Sequence, residues 1–475
     1  MIRNFETVIG IEIHIELNTK SKCFSPVVND FHSPVNELIC PIDLGYPGTL
    51  PLLNQAVVIK AIKLAKALKM QIDHELHFDR KNYYYTDLPK GFQITQQFRP
   101  IGKNGQLELD LGTYQKKVRI ERIHIEEDTA RQIHQQEQTL INYNRAGVPL
   151  IEIVSYPDIS NAAEAIKYVD SIRQIVNFLE ISDAKMAEGS LRADINLSTR
   201  LQGDLNYWTK VEIKNLNSLN NIGLAVELES AIQQQKILTN QIIEQQTKRF
   251  DESQNQLVVM RQKTDGIDYR YFPEPNLPVV QLDPEFIKSI EINELPQAIR
   301  KRYLADRISS EYVEQIINQP SYLHFLDALK FVNKAEAVKI FFAEIVALSK
   351  KTNQNLEQLN IKPAAFDDLL NLLDQGIISG KQLKMVVPKL VNLTTSVEQL
   401  IETMNIKLIS DETTIIAWIK QIQQANPNLD QAYQNKPEAT IKFVVGEIMK
   451  ISKGQANPVL SVKLVTRLLT KTNAA

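Results

Sequence analysis

Five short stretches of this chain alternate apolar and charged side chains with a period of two. That pattern constrains the fold more than anything else in the sequence, because successive strand residues point to opposite faces. In VIGIEIHIEL, Ile11, Ile13 and Ile15 share one face while Glu12, His14 and Glu16 share the other. In RIHIEED, Ile123 and Ile125 alternate with His124 and Glu126, and Glu127 and Asp128 follow. Glu152 stands alone among Leu150, Ile151, Ile153 and Val154. In LRADINLS, Asp194, Asn196 and Ser198 oppose Ala193, Ile195 and Leu197; in KVEIKN, Lys210, Glu212 and Lys214 oppose Val211 and Ile213. Burying a carboxylate is costly unless it is paired, hydrogen-bonded or bound to a metal. Either the sheet shows this face to water, as many antiparallel sheets do, or part of the face is a pocket wall. The recurrence favours the wall.

The chain has 475 residues, more than one ordinary core accommodates, and two to four domains are expected. It divides near residue 290. Before that point short strand-like runs alternate with Gly, Pro and Asn turns, interrupted by helical stripes at Val58–Leu68 and Asn161–Leu179. Beyond it helical periodicity dominates. Phe366, Leu369, Leu370 and Leu373 form a stripe ending at Gly376, with Ser379 placed to cap the next helix, and Ile415, Ile419 and Ile422 form another after Ser410–Asp411. The Gln233–Gln246 stretch is polar and Gln-rich. The expected fold class is therefore α+β, with units at 1–290, 291–409 and 410–475.

A net charge of −2 gives no global basic field, so contact with nucleic acid needs a local patch. One candidate lies at the end of the sequence: residues 436–475 hold seven Lys and Arg against two Glu, and Lys463, Arg467 and Lys471 recur every four residues. Such a stripe is equally what a solvated helix face shows. No apolar run approaches the length of a membrane span and no signal-type segment opens the sequence. The two cysteines, Cys23 and Cys40, form neither a C-x-x-C pair nor a disulfide framework. A reduced, cytoplasmic protein with no membrane association is expected.

Carboxylates with few histidines favour hard cations, Mg²⁺ above Zn²⁺. Set beside Lys and Arg, they are the components of phosphoryl transfer. The aromatic, basic loop FDRKNYYYTDLPKGFQITQ, with Arg80, Lys81 and Lys90, suits a phosphate or nucleotide. Neither a P-loop nor a G-x-S-x-G elbow is present. The residues alone point to a metal-dependent phosphoryl-transfer or ligase site.

GIEIHIEL, CPIDLGYPGTLPLLN, RKNYYYTDLPKGFQITQ, RIHIEEDTARQIH, NYNRAGVPLIEIVSYPDI, MAEGSLRADINLS, KVEIKNLNS and DYRYFPEPNLP occur in that order over roughly residues 5–280, and GEIMKISKGQANP near the end. Together they resemble the B subunit family of the bacterial and organellar aspartyl/glutamyl-tRNA(Asn/Gln) amidotransferase. The resemblance implies a β-rich, cradle-like catalytic domain followed by helical domains. It also implies ATP- and Mg²⁺-dependent phosphorylation of the side-chain carboxyl of Glu-tRNA(Gln) or Asp-tRNA(Asn), followed by amidation. The ammonia would come from a separate amidase, the A subunit, while a small C subunit would wrap the two into a heterotrimer.

Carried onto this sequence, the resemblance implies a metal set of Glu12, His14, Glu126, Glu127 and Glu152. It implies catalytic roles for Glu127, Glu152, Arg192 and Lys214, and nucleotide or tRNA-end contacts for Tyr84, Lys90, Glu188 and Asp194. It gives the basic stripe and the Gly454–Pro458 loop to the tRNA body. Many family members carry two cysteine pairs for zinc; here Cys23 and Cys40 stand with Ser25 and Asp43, so no zinc is expected. A stand-alone ligase and a non-catalytic tRNA scaffold remain as alternatives.

Overall fold

The computed structural model describes residues 4–472 except 31, 136, 207, 263–267, 407, 408, 410 and 453, without side chains at 262, 430, 471 and 472. It divides into two compact units, Met1–Pro296 and Gln297–Ala475.

The first unit is built on the sheet that the alternating runs foretell. In chain order its strands are β1 (Phe5–Glu16), β2 (Gln71–Ile72), β3 (Gly102–Asp110), β4 (Gln115–Glu127), β5 (Pro149–Ser155), β6 (Leu191–Leu201), β7 (Val211–Leu216), β8 (Gln246–Asp251) and β9 (Gln256–Gln262). Across the sheet the order is β9-β8-β7-β6-β1-β5-β4-β3-β2. Neighbours are antiparallel except β7 and β8. The first strand of the chain therefore lies in the middle, flanked by β6 and β5, and all five alternating runs belong to one continuous surface.

Ile9, Ile11, Ile13 and Ile15 of β1 are buried, as are Ile123 and Ile125, Ile151 and Ile153, and Ile195 and Leu197 on its neighbours. Each such side chain contributes about 1.5–3 kcal/mol on burial, and this apolar face is where the helices dock. Those helices are α1 (Gln55–Ala67), α2 (Ala162–Phe178) and α3 (Leu219–Leu238). Their starts follow local capping chemistry: the side chains of Asn54, Asn161 and Ser218 accept from Ala56, Glu164 and Asn221 backbone N–H groups at 2.9, 2.9 and 3.1 Å. Gly223 lets α3 approach α2, since a Cβ there would lie 2.9 Å from Ile166 Cδ1.

Part of the Gln-rich stretch is core rather than surface. Gln233, in α3, is fully buried; it accepts from Thr199 N–H at 2.7 Å and donates to Glu229 at 2.9 Å. Glu229 in turn receives Lys248 Nζ at 2.7 Å. A smaller sheet, Asp79–Asn82 with Phe92–Thr95 and Phe272–Pro273, docks its Phe92–Thr95 strand on β4.

The second unit is helical. Phe366, Leu369 and Leu370 are buried, Gly376 terminates their helix region at φ +67°, and Ser379 forms a capping box with Gln382. Ile415, Ile419 and Ile422 join Val444, Ile448, Leu464, Val465 and Leu469 in one core. Asp411 caps their helix through Thr414 N–H at 2.8 Å, while Ser410 lies outside the described residues. No helix among the described residues is long and apolar enough to cross a membrane.

Candidate functional site

On the face opposite the helices, register places polar residues in rows across the strands. Arg192 of β6 pairs with His14 of β1, His14 with Glu152 of β5, and Glu152 with His124 of β4. Glu126, two residues beyond His124 and so on the same face, completes a cluster. His14 Nε2 lies 3.6 Å from Glu152 Oε2 and 3.8 Å from Glu126 Oε1; His124 Nε2 lies 3.0 Å from Glu152 and 3.6 Å from Glu126.

Burial pulls both imidazoles toward neutrality, but the Glu152 and Glu126 carboxylates prevail and raise each to about 9. Burial likewise pushes Glu152 up, yet His124 and His14 hold it well below the usual carboxylate range. His14, Glu126 and Glu152 each present a ligand atom within 4.8 Å of the other two, close enough to share one divalent cation. His124 Nδ1 is buried with no hydrogen-bond partner among the described residues. Two carboxylates and an imidazole suit Mn²⁺ or Zn²⁺ as readily as Mg²⁺, which would complete its shell with water. The residues present thus fit a divalent metal.

The next row pairs Glu12 with Asp194. Burial, Glu152 and Asp194 together raise the Glu12 carboxyl, and Asn196 donates to it at 3.1 Å. Lys214 reaches Asp194 at 2.6 Å and Glu212 at 3.1 Å. On the other side of the cluster, Arg192 Nη2 binds Asp128 at 2.6 Å and lies 3.7 Å from Glu16, with Arg145 3.4 Å from Asp128. Tyr83, Tyr269 and Tyr271 form an edge-to-face series, with centroids 5.9 and 5.8 Å apart. Burial, with the Tyr269, Glu152 and Glu126 charges, pushes the Tyr271 phenol up to about 12.

Of the residues singled out from sequence, Glu12, His14, Glu126, Glu152, Arg192, Asp194 and Lys214 converge on this face. The others stand elsewhere. Glu127 is held by Lys90 Nζ and by the Ile94 amide at 3.0 Å, so both Glu127 and Lys90 are engaged in a buried pair outside the ligand cluster. Glu188 sits in an exposed turn, 3.1 Å from Lys185. Tyr84 is 95% exposed. His124 is not among the residues that the resemblance implies, although it lies in the same alternation as Glu126; strand pairing with Glu152 brings it into the site. Near Cys23, Asp43 accepts from Lys22 Nζ at 3.2 Å and from the Cys40 amide at 3.1 Å.

The residues that form this mixed sheet, with one face buried under helices and carboxylates, imidazoles, Lys and Arg gathered on the other, lie within residues 7–288, which the family model of the GatB/GatE catalytic domain matches. A second model, described as the GatB domain, matches residues 323–469. Three similar proteins are each named as the B subunit of an aspartyl/glutamyl-tRNA(Asn/Gln) amidotransferase. That of Mycoplasmopsis agalactiae is 52% identical over 470 residues, covering 98% of this chain and 99% of its own length. Those of Mycoplasmopsis pulmonis and Mycoplasma mobile are each 51% identical over 468 residues, covering 98% of this chain and 99% and 98% of their own. The chain belongs to the B subunit family of these amidotransferases.

Proposed function

We propose that this chain is the kinase and transamidase subunit of a tRNA-dependent amidotransferase, acting on Glu-tRNA(Gln), Asp-tRNA(Asn) or both. The side-chain carboxylate of the mischarged amino acid attacks the γ-phosphorus of ATP, giving an acyl phosphate and ADP. Ammonia, supplied from glutamine by a partner amidase within a three-chain assembly, then displaces phosphate to form the amide.

The observation that carries this reading is the convergence of His14, Glu126 and Glu152 within 4.8 Å on the sheet's polar face, in a chain matched over nearly its whole length by B-subunit relatives. These three residues would hold Mg²⁺, with Glu12 a row away. The cation would neutralise phosphate charge and fix the attack geometry. Lys214 and Arg192, paired with Asp194 and Asp128 beside the cluster, would exchange those carboxylates for phosphate oxygens as the substrates enter.

The test is Glu152→Gln in the assembled complex. tRNA-dependent ATP hydrolysis should fall by orders of magnitude while glutaminase activity persists. Wild-type ATP hydrolysis would overturn the assignment and favour the scaffold reading, and full glutamine-dependent activity from the isolated chain would favour a stand-alone ligase.

A further inference from the structure

The strand that carries Glu126 changes neighbours just where it reaches the ligand cluster. β3 pairs with β4 only as far as Gly102 opposite Ile123, while β5 follows β4 on to Glu127. Among the described residues, one edge of β4 beyond Ile123 therefore has no ladder partner, and buried backbone groups left unpaired there would be costly. Residues 93–96 meet that need with side chains. Gln96 Oε1 accepts from the Ile125 amide at 3.0 Å, and Gln93 Nε2 donates to the Glu127 carbonyl at 2.8 Å. The Ile94 amide donates to the Glu127 carboxylate at 3.0 Å. The small sheet is thus fastened to β4 on either side of Glu126.

Between these fastenings lies a contact that the fold does not require. Thr95 is 3% exposed and shares a strand face with Gln93. Its Oγ1 donates to Glu126 Oε2 at 3.3 Å, closer than either imidazole: His124 is 3.6 Å from that oxygen, and His14 is 3.8 Å from Oε1. The bond holds one carboxylate oxygen and leaves the other facing His14. Valine would fill the same strand position with equal branching and no buried hydroxyl. What distinguishes threonine here is that hydroxyl, and Glu126 is the acceptor it meets. Carboxylates that ligate a metal are commonly hydrogen-bonded themselves, which fixes their orientation toward the ion.

We infer that Thr95 is a positioning residue of the ligand cluster: its hydroxyl fixes Glu126 Oε2, so that Oε1 stays turned toward His14 and the cation that His14, Glu126 and Glu152 would share. The inference rests on the proposed function, in which those three residues hold the metal. It gives part of the cluster's order to the small sheet, which lies outside the nine strands that supply the ligands.

The experiment titrates Mn²⁺ into the assembled amidotransferase without nucleotide or tRNA and reads binding by electron paramagnetic resonance. Wild type is compared with Thr95→Val, Thr95→Ser, Glu126→Gln and the Thr95→Val/Glu126→Gln double variant. Thr95→Val should weaken Mn²⁺ binding about 10–100-fold, and Thr95→Ser, which keeps the hydroxyl, should bind within about threefold of wild type. A role confined to strand packing predicts the reverse order, because valine suits a strand as well as threonine does and serine suits it less. In the double variant Thr95→Val should add little to the loss caused by Glu126→Gln, since the hydroxyl acts through that carboxylate. Should valine not give a folded complex, Thr95→Ala takes its place with the same expectation. Wild-type affinity in Thr95→Val, a serine variant as weak as the valine one, or fully additive losses would each overturn the assignment. If Glu126→Gln weakens Mn²⁺ binding and Thr95→Val does not, the positioning role alone fails. If Glu126→Gln binds Mn²⁺ as wild type does, the metal assignment behind the proposed function fails with it.

Discussion

Glu127 and Lys90 offer the sharpest check on how the structure reassigns residues that look alike in sequence. Their side chains are only 5% and 9% exposed, and Glu127 also accepts from the Ile94 amide at 3.0 Å. Glu127→Gln keeps an acceptor for that amide but strands the ammonium of Lys90. Removing one partner of a buried pair typically costs about 3–5 kcal/mol. Lys90 retains the ring of Phe92, 5.4 Å from its Nζ, which offsets about 0.5–1 kcal/mol. The expected loss is therefore about 3 kcal/mol. Adding Lys90→Met removes the stranded charge and should restore all but about 1–2 kcal/mol, because neutral replacement of a buried pair is far less damaging than breaking it.

The assay is urea unfolding followed by tryptophan fluorescence. The chain has two tryptophans, and Trp418 lies in the second unit, so a Trp418→Phe background leaves Trp208 to report on the first. The midpoint should fall for Glu127→Gln and largely recover in the double variant, with an unchanged slope. A loss below about 1 kcal/mol, or a double variant less stable than Glu127→Gln alone, would refute the buried-pair reasoning.

Glu229→Ala should destabilise the first unit by about 3–5 kcal/mol in the same assay, because it leaves Lys248, 9% exposed, without its carboxylate. Ser379→Ala removes a capping box whose hydroxyl sits 3.4 Å from the Gln382 amide and from the Gly454 carbonyl; calorimetry of the second unit's transition should show a loss of about 1 kcal/mol. His124→Ala removes the imidazole 3.0 Å from Glu152, and Mn²⁺ titration read by electron paramagnetic resonance should show about 10–100-fold weaker binding. Neutralising Lys463, Arg467 and Lys471 should flatten the log–log salt dependence of tRNA binding by up to ~2–3 units, about equally for every tRNA. Arg467 already meets Glu412 at 3.2 Å, and an unchanged slope would make the stripe a solvated helix face.

The Gly454–Pro458 loop, which the resemblance gives to the tRNA body, has contacts of its own within the second unit. Asn457 Nδ2 reaches the Gly376 carbonyl at 3.5 Å, and Gly454, at φ +83°, lies against Lys381, so the loop is anchored within its own unit whatever else it contacts. Lys471's side chain lies outside the described residues.

What the sequence determined by itself is the local part. A period of two placed Glu12, His14, Glu126 and Glu152 on one side of their strands and the isoleucines on the other, because side-chain direction in a strand follows from backbone geometry alone. Asn161, Ser379 and Asp411 marked helix starts, since a cap is satisfied within one turn. What only the tertiary structure decided is which of these faces meet. The order β6-β1-β5-β4 joins residues 192, 14, 152 and 124 in one row, through β1 pairings that reach more than a hundred positions along the chain, and nothing in the local pattern of β1 names its neighbours. Register has the same character: a slip of one residue would turn the whole row into the core. Adjacent carboxylates such as Glu126 and Glu127 are alike in sequence, but Glu126 joins the imidazoles while Glu127 meets Lys90. A charged side chain's role depends on the partner that compensates its burial, and here that partner arrives from a distant part of the chain.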